Sequence, residues 1–236
     1  MPTAASGPVL FSPGFVSIGL GERDAAFTLD GNVFAFTQMD GRDGTIVLMV
    51  SGTLEIAPFS GEHSDLEPFF DPRGGALLFA SNRPHPDDPS RSDYNIWRVA
   101  KTASEWGDPE IVRGLDSSGD EFYPTVALDG TFVFTSEREG GFGGEDIWLA
   151  VQDATGGWRV ENAGPGVNGP GAEFNALITP DGRMLIFSST RTEEPGDQGG
   201  GDLYASTRRV DRAAGSEPEV VDSGGETDAS TDVFFT

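Results

Sequence analysis

Acidic side chains recur at one position of a repeating pattern in this 236-residue chain. The pattern is aligned on Phe36, Phe79, Phe134 and Phe187, and an acidic residue stands 12 to 14 positions before each of them: Asp24, Glu67, Glu121 and Glu173. Acid–base catalysis needs one pair of carboxyl groups with different pKa values, whereas a copy in every repeat is typical of a structural or binding role. The spacing therefore favours structure or binding, and it predicts no catalytic residue.

Arginines occupy a second repeated position, four residues after the aligned phenylalanine, in three of the repeats: Arg83, Arg138 and Arg191. A guanidinium group can bind a carboxylate through two parallel hydrogen bonds. We therefore expect these arginines to pair with acidic residues of the repeat, with Glu67, Glu121 and Glu173 as first candidates. The alternative is a ring of arginines that receives an anionic ligand, so these six residues are the candidate binding residues.

The sequence contains few residues that could bind a metal ion or act as a catalytic nucleophile. The sequence contains no cysteine and two histidines, His63 and His85, which excludes thiolate catalysis and a histidine-rich metal cluster. The loop GGFGGEDIW partly matches a calcium-binding glycine–aspartate repeat, and PGDQGGGD offers Asp197 and Asp202. Calcium binding therefore stays open, but we expect no obligatory cofactor and predict no metal site.

The repeated segments read as β-hairpins. They recur at intervals of 43, 55 and 53 residues, and in each an Asp-Gly or Gly-Gly turn joins two apolar runs. A third strand follows as TIVLM, NIWRV, DIWLA or DLYAS, and a fourth lies near LEIA, PEIV, WRVENA or PEVV. Four-stranded sheets of this kind bury both faces when they pack radially, so the pattern predicts an all-β propeller of antiparallel blades.

The fullest copy of the repeat combines Thr179-Pro180-Asp181-Gly182 with Ser189-Thr190-Arg191 and Asp202-Leu203-Tyr204. It resembles the blade motif of TolB-like propeller repeats, a WD40-like family, and FSPGFVSIGLGERDAAFTLDG resembles the entry to bacterial members. We expect one propeller domain over residues 1–236. Its boundaries are four units near residues 20–61, 62–115, 116–168 and 169–221, and an incomplete fifth at 222–236 closed by an N-terminal strand at 8–12.

Charge narrows the range of partners. The chain has 15 lysines and arginines against 39 aspartates and glutamates, a net charge of −24, which disfavours nucleic acid. No apolar run approaches the roughly 18 residues of a membrane span. The first twenty residues lack a basic signal-peptide region, so the chain as written is expected to be cytoplasmic, whereas the resemblance implies a periplasmic or extracellular protein; the compartment stays open. We expect a monomer.

The function expected from these patterns is that of a non-catalytic scaffold. Its partner would be a protein or an envelope polysaccharide or peptidoglycan-associated molecule. Binding would use the face that carries the variable loops at residues 83–94, 138–145 and 191–201. The alternative is a glycan-active propeller enzyme, a hydrolase or lyase that uses central carboxylates.

Overall fold

A computed structural model describes residues 11–102, 105–192 and 201–207 and the short strand Glu219–Val220. Within these ranges sixteen strands form four antiparallel sheets, named blades 1 to 4 in chain order, and no helix is present. Blade 1 comprises β1 (Gly21–Phe27), β2 (Val33–Asp40), β3 (Asp43–Val50) and β4 (Thr53–Ile56). Blade 2 comprises β5 (Asp65–Phe70), β6 (Ala76–Ser81), β7 (Asn95–Ala100) and β8 (Glu110–Ile111). Blade 3 comprises β9 (Glu121–Val126), β10 (Phe132–Ser136), β11 (Asp146–Gln152) and β12 (Trp158–Asn162). Blade 4 comprises β13 (Glu173–Ile178), β14 (Met184–Ser189), β15 (Asp202–Thr207) and β16 (Glu219–Val220).

The four blades have the arrangement of a propeller, as the sequence predicts. Within each blade the strands pair in sequence order, and the first strand of each blade contacts the first strand of the next. The first strands β1, β5, β9 and β13 are therefore the inner strands, nearest the propeller axis.

The Asp-Gly turns between first and second strands form as predicted. In blade 1 the Gly31 amide donates to the Thr28 carbonyl at 2.8 Å, and Gly31 has φ of +68°, which suits a residue without a Cβ. The Asp30 carboxylate accepts the Thr28 hydroxyl at 2.6 Å, and Asp181 does the same for Thr179 in blade 4. These local bonds fix the register of the hairpins.

The connections between second and third strands differ greatly in length. In blade 1 only residues 41–42 separate β2 from β3, whereas residues 82–94 and 137–145 form the equivalent loops of blades 2 and 3. Blade 1 therefore has a tight turn at the position where blades 2 and 3 have long loops.

The core lies between the blades. Ala35 and Leu48 of blade 1 pack against Phe79 and Trp97 of blade 2, and similar clusters join blades 2 to 3 and 3 to 4. The aligned residues Phe79, Phe134 and Phe187 are all buried at these junctions. Burial of a phenylalanine side chain contributes about 1.5–3 kcal/mol, so each junction depends strongly on this one position.

The first aligned phenylalanine has a different neighbour. Phe36 packs with Val16 of the N-terminal segment, and Phe11 lies 5.3 Å from the Phe34 ring. Phe11 and Ser12 lie in a bend, while residues 8–10 and 222–236 of the expected fifth unit lie outside the described residues. No described strand of blade 1 contacts a described strand of blade 4.

Candidate functional site

Each repeated arginine is held in a buried clamp. In blade 3 the Arg138 guanidinium donates to the Glu121 carboxylate at 3.2 Å and to the Ser136 hydroxyl at 3.0 Å. It also donates to the Leu115 carbonyl of the preceding connection. Its carbon atom Cζ lies 4.8 Å from the centre of the Phe134 ring, a distance at which the ring face attracts a cation. The clamp thus joins a strand end, an inner strand and the connection between blades.

The predicted pairing holds for two arginines and is wrong in part for the third. Arg138 pairs with Glu121, and Arg191 pairs with Glu173 at 3.3 Å. Arg83 pairs instead with Asp65 at 2.7 Å, because Asp65 lies opposite Ser81 in the position that Glu121 has in blade 3. Glu67 stands two residues further along β5.

Burial separates these arginines from solvent. Their side chains are 10–14% exposed, and the paired carboxylates are 0% exposed. Charges buried in this way need both a counter-ion and further hydrogen bonds, and the clamp supplies them. The guanidinium groups therefore face carboxylates of the same blade.

A second cluster lies on the inner strands, two residues after the clamp acid. Here each inner strand has a bulge at which two residues face one residue of the second strand. The first bulge residue has a left-handed backbone, with φ between 51° and 59°, at Asp24, Glu67, Tyr123 and Asn175. Such a conformation costs about 1–3 kcal/mol in a residue other than glycine, so the surrounding contacts must hold it.

Arg23 connects three blades through these positions. Its guanidinium lies 2.7 Å from the Asp24 carboxylate, 3.2 Å from that of Glu67 and 2.6 Å from the Tyr123 hydroxyl. The Tyr123 amide donates to Glu67 at 2.7 Å, and the Glu67 amide donates to the Thr37 hydroxyl at 3.0 Å. We call Arg23, Asp24, Glu67 and Tyr123 the axial cluster.

The two acids of the axial cluster have raised pKa values. Burial, together with the charge of Asp24, raises the pKa of Glu67 to about 8, although Arg23 opposes the shift. Burial also raises the pKa of Asp24. The cluster therefore holds two buried carboxyl groups that share one guanidinium.

The sequence did not predict Arg23 and Tyr123 of the axial cluster, or Asn175 at the equivalent bulge position of blade 4. Tyr123 and Asn175 stand two residues after the inner-strand acid that lies opposite the last residue of the second strand, whereas Arg23 directly precedes the equivalent position in blade 1. The four side chains at this bulge position have little chemistry in common, since they are Asp, Glu, Tyr and Asn. Only the shared backbone conformation shows that they are equivalent.

The long loops lie on one face together with the connections between blades. Asn82 in the blade 2 loop donates its amide to the Ser64 carbonyl of the preceding connection at 3.3 Å. At the other end of that loop the Tyr94 amide donates to Asp120 of the following connection at 2.8 Å. We define residues 82–94, 112–120, 137–145 and 163–172 as the loop face.

Carboxylates crowd part of the loop face. Burial raises the pKa of Glu145, and the negative charges of Glu137 and Asp120 raise it further. Asp88 and Glu139 are further exposed acids of the loop face, whereas the exposed Asp87 pairs with Arg113. The loop face therefore carries negative charge in excess.

An aromatic side chain stands in the same region. Phe142 is 52% exposed, and its amide donates to the Asp146 carboxylate at 2.6 Å. The next residue, Gly143, packs so closely on the connection that an added Cβ would lie 1.9 Å from the Gly171 carbonyl oxygen. The loop thus presents Phe142 from a tightly packed base.

Metal-binding residues do not converge in the part of the chain that is described. No group of three or more His, Asp or Glu side chains there is placed to hold a metal ion. Asp146 of the glycine-rich loop bonds the amides of Phe142 and Gly143, and Asp197 lies outside the described residues. His85 lies 3.4 Å from Asp116 on the loop face.

Within the described ranges, no helix is long and apolar enough to cross a membrane.

We expect Arg138→Met to lower the free energy of unfolding by about 3–5 kcal/mol, because it leaves the Glu121 charge buried without its counter-ion. Chemical denaturation measures the change. The matched control is Arg159→Met, since Arg159 forms an exposed pair with Glu161 at 3.5 Å and should cost less than about 1 kcal/mol. Equal losses in the two variants would contradict the clamp.

Glu67 should give the protein an unusual pH dependence. Its pKa is about 8 when folded against an ordinary 4.5, so between these values the folded state binds the extra proton. Stability from this group is therefore complete below about pH 4.5 and falls as pH rises through 8. Unfolding free energies of wild type and Glu67→Gln between pH 5 and 8.5 test this: the variant should show the flatter profile, whereas the exposed control Glu55→Gln should follow wild type.

No protein-family model matches the chain, and no curated protein matches it. Solved structures do share its architecture. TolB from Acinetobacter baumannii matches with a TM-score of 0.51 and 17% identity, over 80% of this chain and 41% of that one. A putative TolB from Agrobacterium tumefaciens matches with a TM-score of 0.55 and 18% identity, over 84% and 63%.

Prolyl oligopeptidase B from Galerina marginata matches with a TM-score of 0.53 and 11% identity, over 83% of this chain and 26% of that one. The chain therefore spans less than two thirds of each of these three proteins. Identities this low show the fold alone. The fold of this chain is that of a TolB-like β-propeller.

Proposed function

We propose that this propeller is a non-catalytic scaffold whose loop face binds a protein or cell-envelope polymer that carries cationic groups. The observation that supports the proposal is the crowding of Glu145 with Glu137 and Asp120: burial raises the pKa of Glu145, and the two neighbouring negative charges raise it further. A cationic group bound there would relieve this repulsion, so binding and deprotonation of Glu145 would favour each other. Electrostatic attraction of this kind also speeds association and weakens with salt.

Phe142 supplies the apolar part of the proposed contact. An exposed aromatic ring beside charged groups is a common anchor in protein interfaces. Because Asp146 accepts hydrogen bonds from amides of its own loop and Gly143 packs against the neighbouring connection, little ordering of the loop would be needed on binding. The resemblance to TolB-like propellers supports a location outside the cytoplasm for this protein and for the molecule that it binds.

The test compares two variants that lose equal charge and equal numbers of apolar side chains. The loop-face variant combines Glu137→Gln, Glu139→Gln and Phe142→Ala. The control combines Glu55→Gln, Glu110→Gln and Leu128→Ala, which are equally exposed residues away from the loop face. Partners captured by immobilised wild type from an extract of the native organism, and released by salt, should bind the loop-face variant at least about tenfold more weakly. Capture should not change with the control.

Retention of the same partners by a folded loop-face variant would contradict the proposal. Replacement of residues 84–93 and 139–144 by short Gly-Ser turns, which leaves Arg83 and Arg138 in their clamps, extends the test to both long loops. If partners still bind to that protein, and circular dichroism shows an intact fold, the binding surface lies elsewhere.

A glycan-active enzyme is the second candidate, and the axial cluster is the observation that favours it. A carboxylic acid with a pKa near 8, such as Glu67, can serve as a proton donor at neutral pH. Both Glu67 and Asp24 are nevertheless buried and bonded to Arg23, so a substrate would have to displace that guanidinium. We expect no hydrolysis or elimination when wild type is incubated with a panel of glycans. Activity that is present in wild type and lost in Glu67→Gln would establish the enzyme instead.

A further inference from the structure

Blade 1 differs from the other blades at the position of the clamp arginine. In blades 2 to 4 this arginine stands two residues after the serine that ends the second strand and lies opposite the clamp acid. In blade 1 the residue opposite the inner-strand acid Glu22 is Gln38. Two residues after Gln38 stands Asp40, so blade 1 has a carboxylate where the other three blades have a guanidinium.

Glu22 is nevertheless held as a clamp acid is held. The amide of Ile18, four residues earlier in the chain, donates to the Glu22 carboxylate at 3.0 Å. The clamp acids of blades 3 and 4 accept the amide of the same position, at 3.2 Å from Ser117 to Glu121 and at 2.7 Å from Gly169 to Glu173. The N-terminal segment therefore places Glu22 as the connections between blades place its equivalents.

The carbonyl position of the clamp is also repeated in blade 1. In blades 3 and 4 the arginine donates to the carbonyl of the residue six positions before the clamp acid, which is Leu115 or Val167. Val16 stands six positions before Glu22, and its side chain is buried as those of Leu115 and Val167 are. Blade 1 thus has the acid and the connection of a clamp, but not its cation.

Solvent reaches this position in blade 1. The clamp acids of the other blades are 0% exposed, whereas Glu22 and Gln38 are partly exposed and Asp40 is exposed. Apart from the bond from Ile18, these three side chains make no hydrogen bond or ion pair within the part of the chain that the structure describes. A ligand can therefore approach the Glu22 carboxylate from outside.

The acceptors lie together on one face of blade 1. Paired residues of neighbouring strands share a face, and alternate residues of one strand do so too, so Glu22, Gln38 and Asp40 project to the same side. Diagonal neighbours such as Glu22 and Asp40 are within reach of one long side chain. The Phe36 ring of this face is 3% exposed and packs with Val16, so a ligand would meet the polar groups and not the ring.

We propose that Glu22, Gln38 and Asp40 bind the guanidinium group of an arginine side chain from a partner protein. Guanidinium carries five N–H donors in a planar fork, which suits several acceptors at once, whereas an ammonium group is a point charge. Three blades of the same chain hold this group at the equivalent position. The three residues lie outside the loop face, so this site is independent of the function proposed above.

N-acetyl-L-arginine amide is the probe that tests the site, in NMR titrations of the full chain. The amide signals of Ile18, Glu22 and Asp40 should shift and saturate with a dissociation constant of about 1–10 mM, because exposed ion pairs are weak. N-acetyl-L-lysine amide has the same charge without the fork and should bind at least about fivefold more weakly. Equal binding of the two probes overturns the assignment to guanidinium.

Glu22→Gln removes the charge and keeps a side-chain oxygen that can accept the Ile18 amide. This variant should raise the dissociation constant of the arginine probe at least about tenfold. The control Glu55→Gln loses the same charge at an exposed residue of β4 and should bind as wild type does. Unchanged binding by Glu22→Gln overturns the proposal, because the probe would then be attracted only by the overall negative charge.

Asp40→Arg supplies the guanidinium from the chain itself. The melting temperature should rise by at least about 2 °C, since the clamp of blade 1 is completed, and the probe should no longer bind. The control Asp108→Arg makes the same change of charge at an exposed residue outside this face and should do neither. Probe binding that survives in a folded Asp40→Arg protein overturns the proposal. So does the lack of saturable shifts in wild type, which is the result expected if an arginine of this chain already occupies the site.

Discussion

A twisted four-stranded sheet with two apolar faces is stable only when both faces are covered, and this requirement organises the whole molecule. Blades 2 and 3 lie between neighbours, and their aligned residues Phe79 and Phe134 are completely buried. Blade 1 meets the requirement on one side with Val16 from the N-terminal segment. Everything that distinguishes the inner strands, the loop face and the two ends follows from this serial packing.

Buried charge is the second consequence of that packing. Radial stacking leaves the ends of the inner strands without solvent, so Glu121 and its equivalents need a cation and a hydroxyl within the same blade. Arg138 and Ser136 supply both, and the guanidinium reaches the Leu115 carbonyl as well. The axial cluster also contains buried carboxyl groups that need a cation, but here one guanidinium from blade 1 pairs with carboxyl groups of two blades.

Most of the fold could be predicted from the sequence, and the site only in part. The hairpin turns and apolar runs are local signals, so the four blades followed from them. The predicted partner of Arg83 was wrong because spacing from Phe79 alone does not distinguish Asp65, which lies before the bulge, from Glu67, which is its first residue. Arg23 and Tyr123 meet across the propeller although they are a hundred positions apart in the chain. No local pattern carries that information.

The two-residue turn at residues 41–42 shapes the loop face in a further way. Loops of blades 2 and 3 rise around the mouth of the propeller, but blade 1 leaves a gap in that wall. If the loop face binds a polymer as proposed, a long chain molecule would meet no long loop over blade 1 and would not have to be threaded in by one of its ends. An opening of this kind would suit recognition of an internal segment of a continuous polymer, at any point along the length of that polymer.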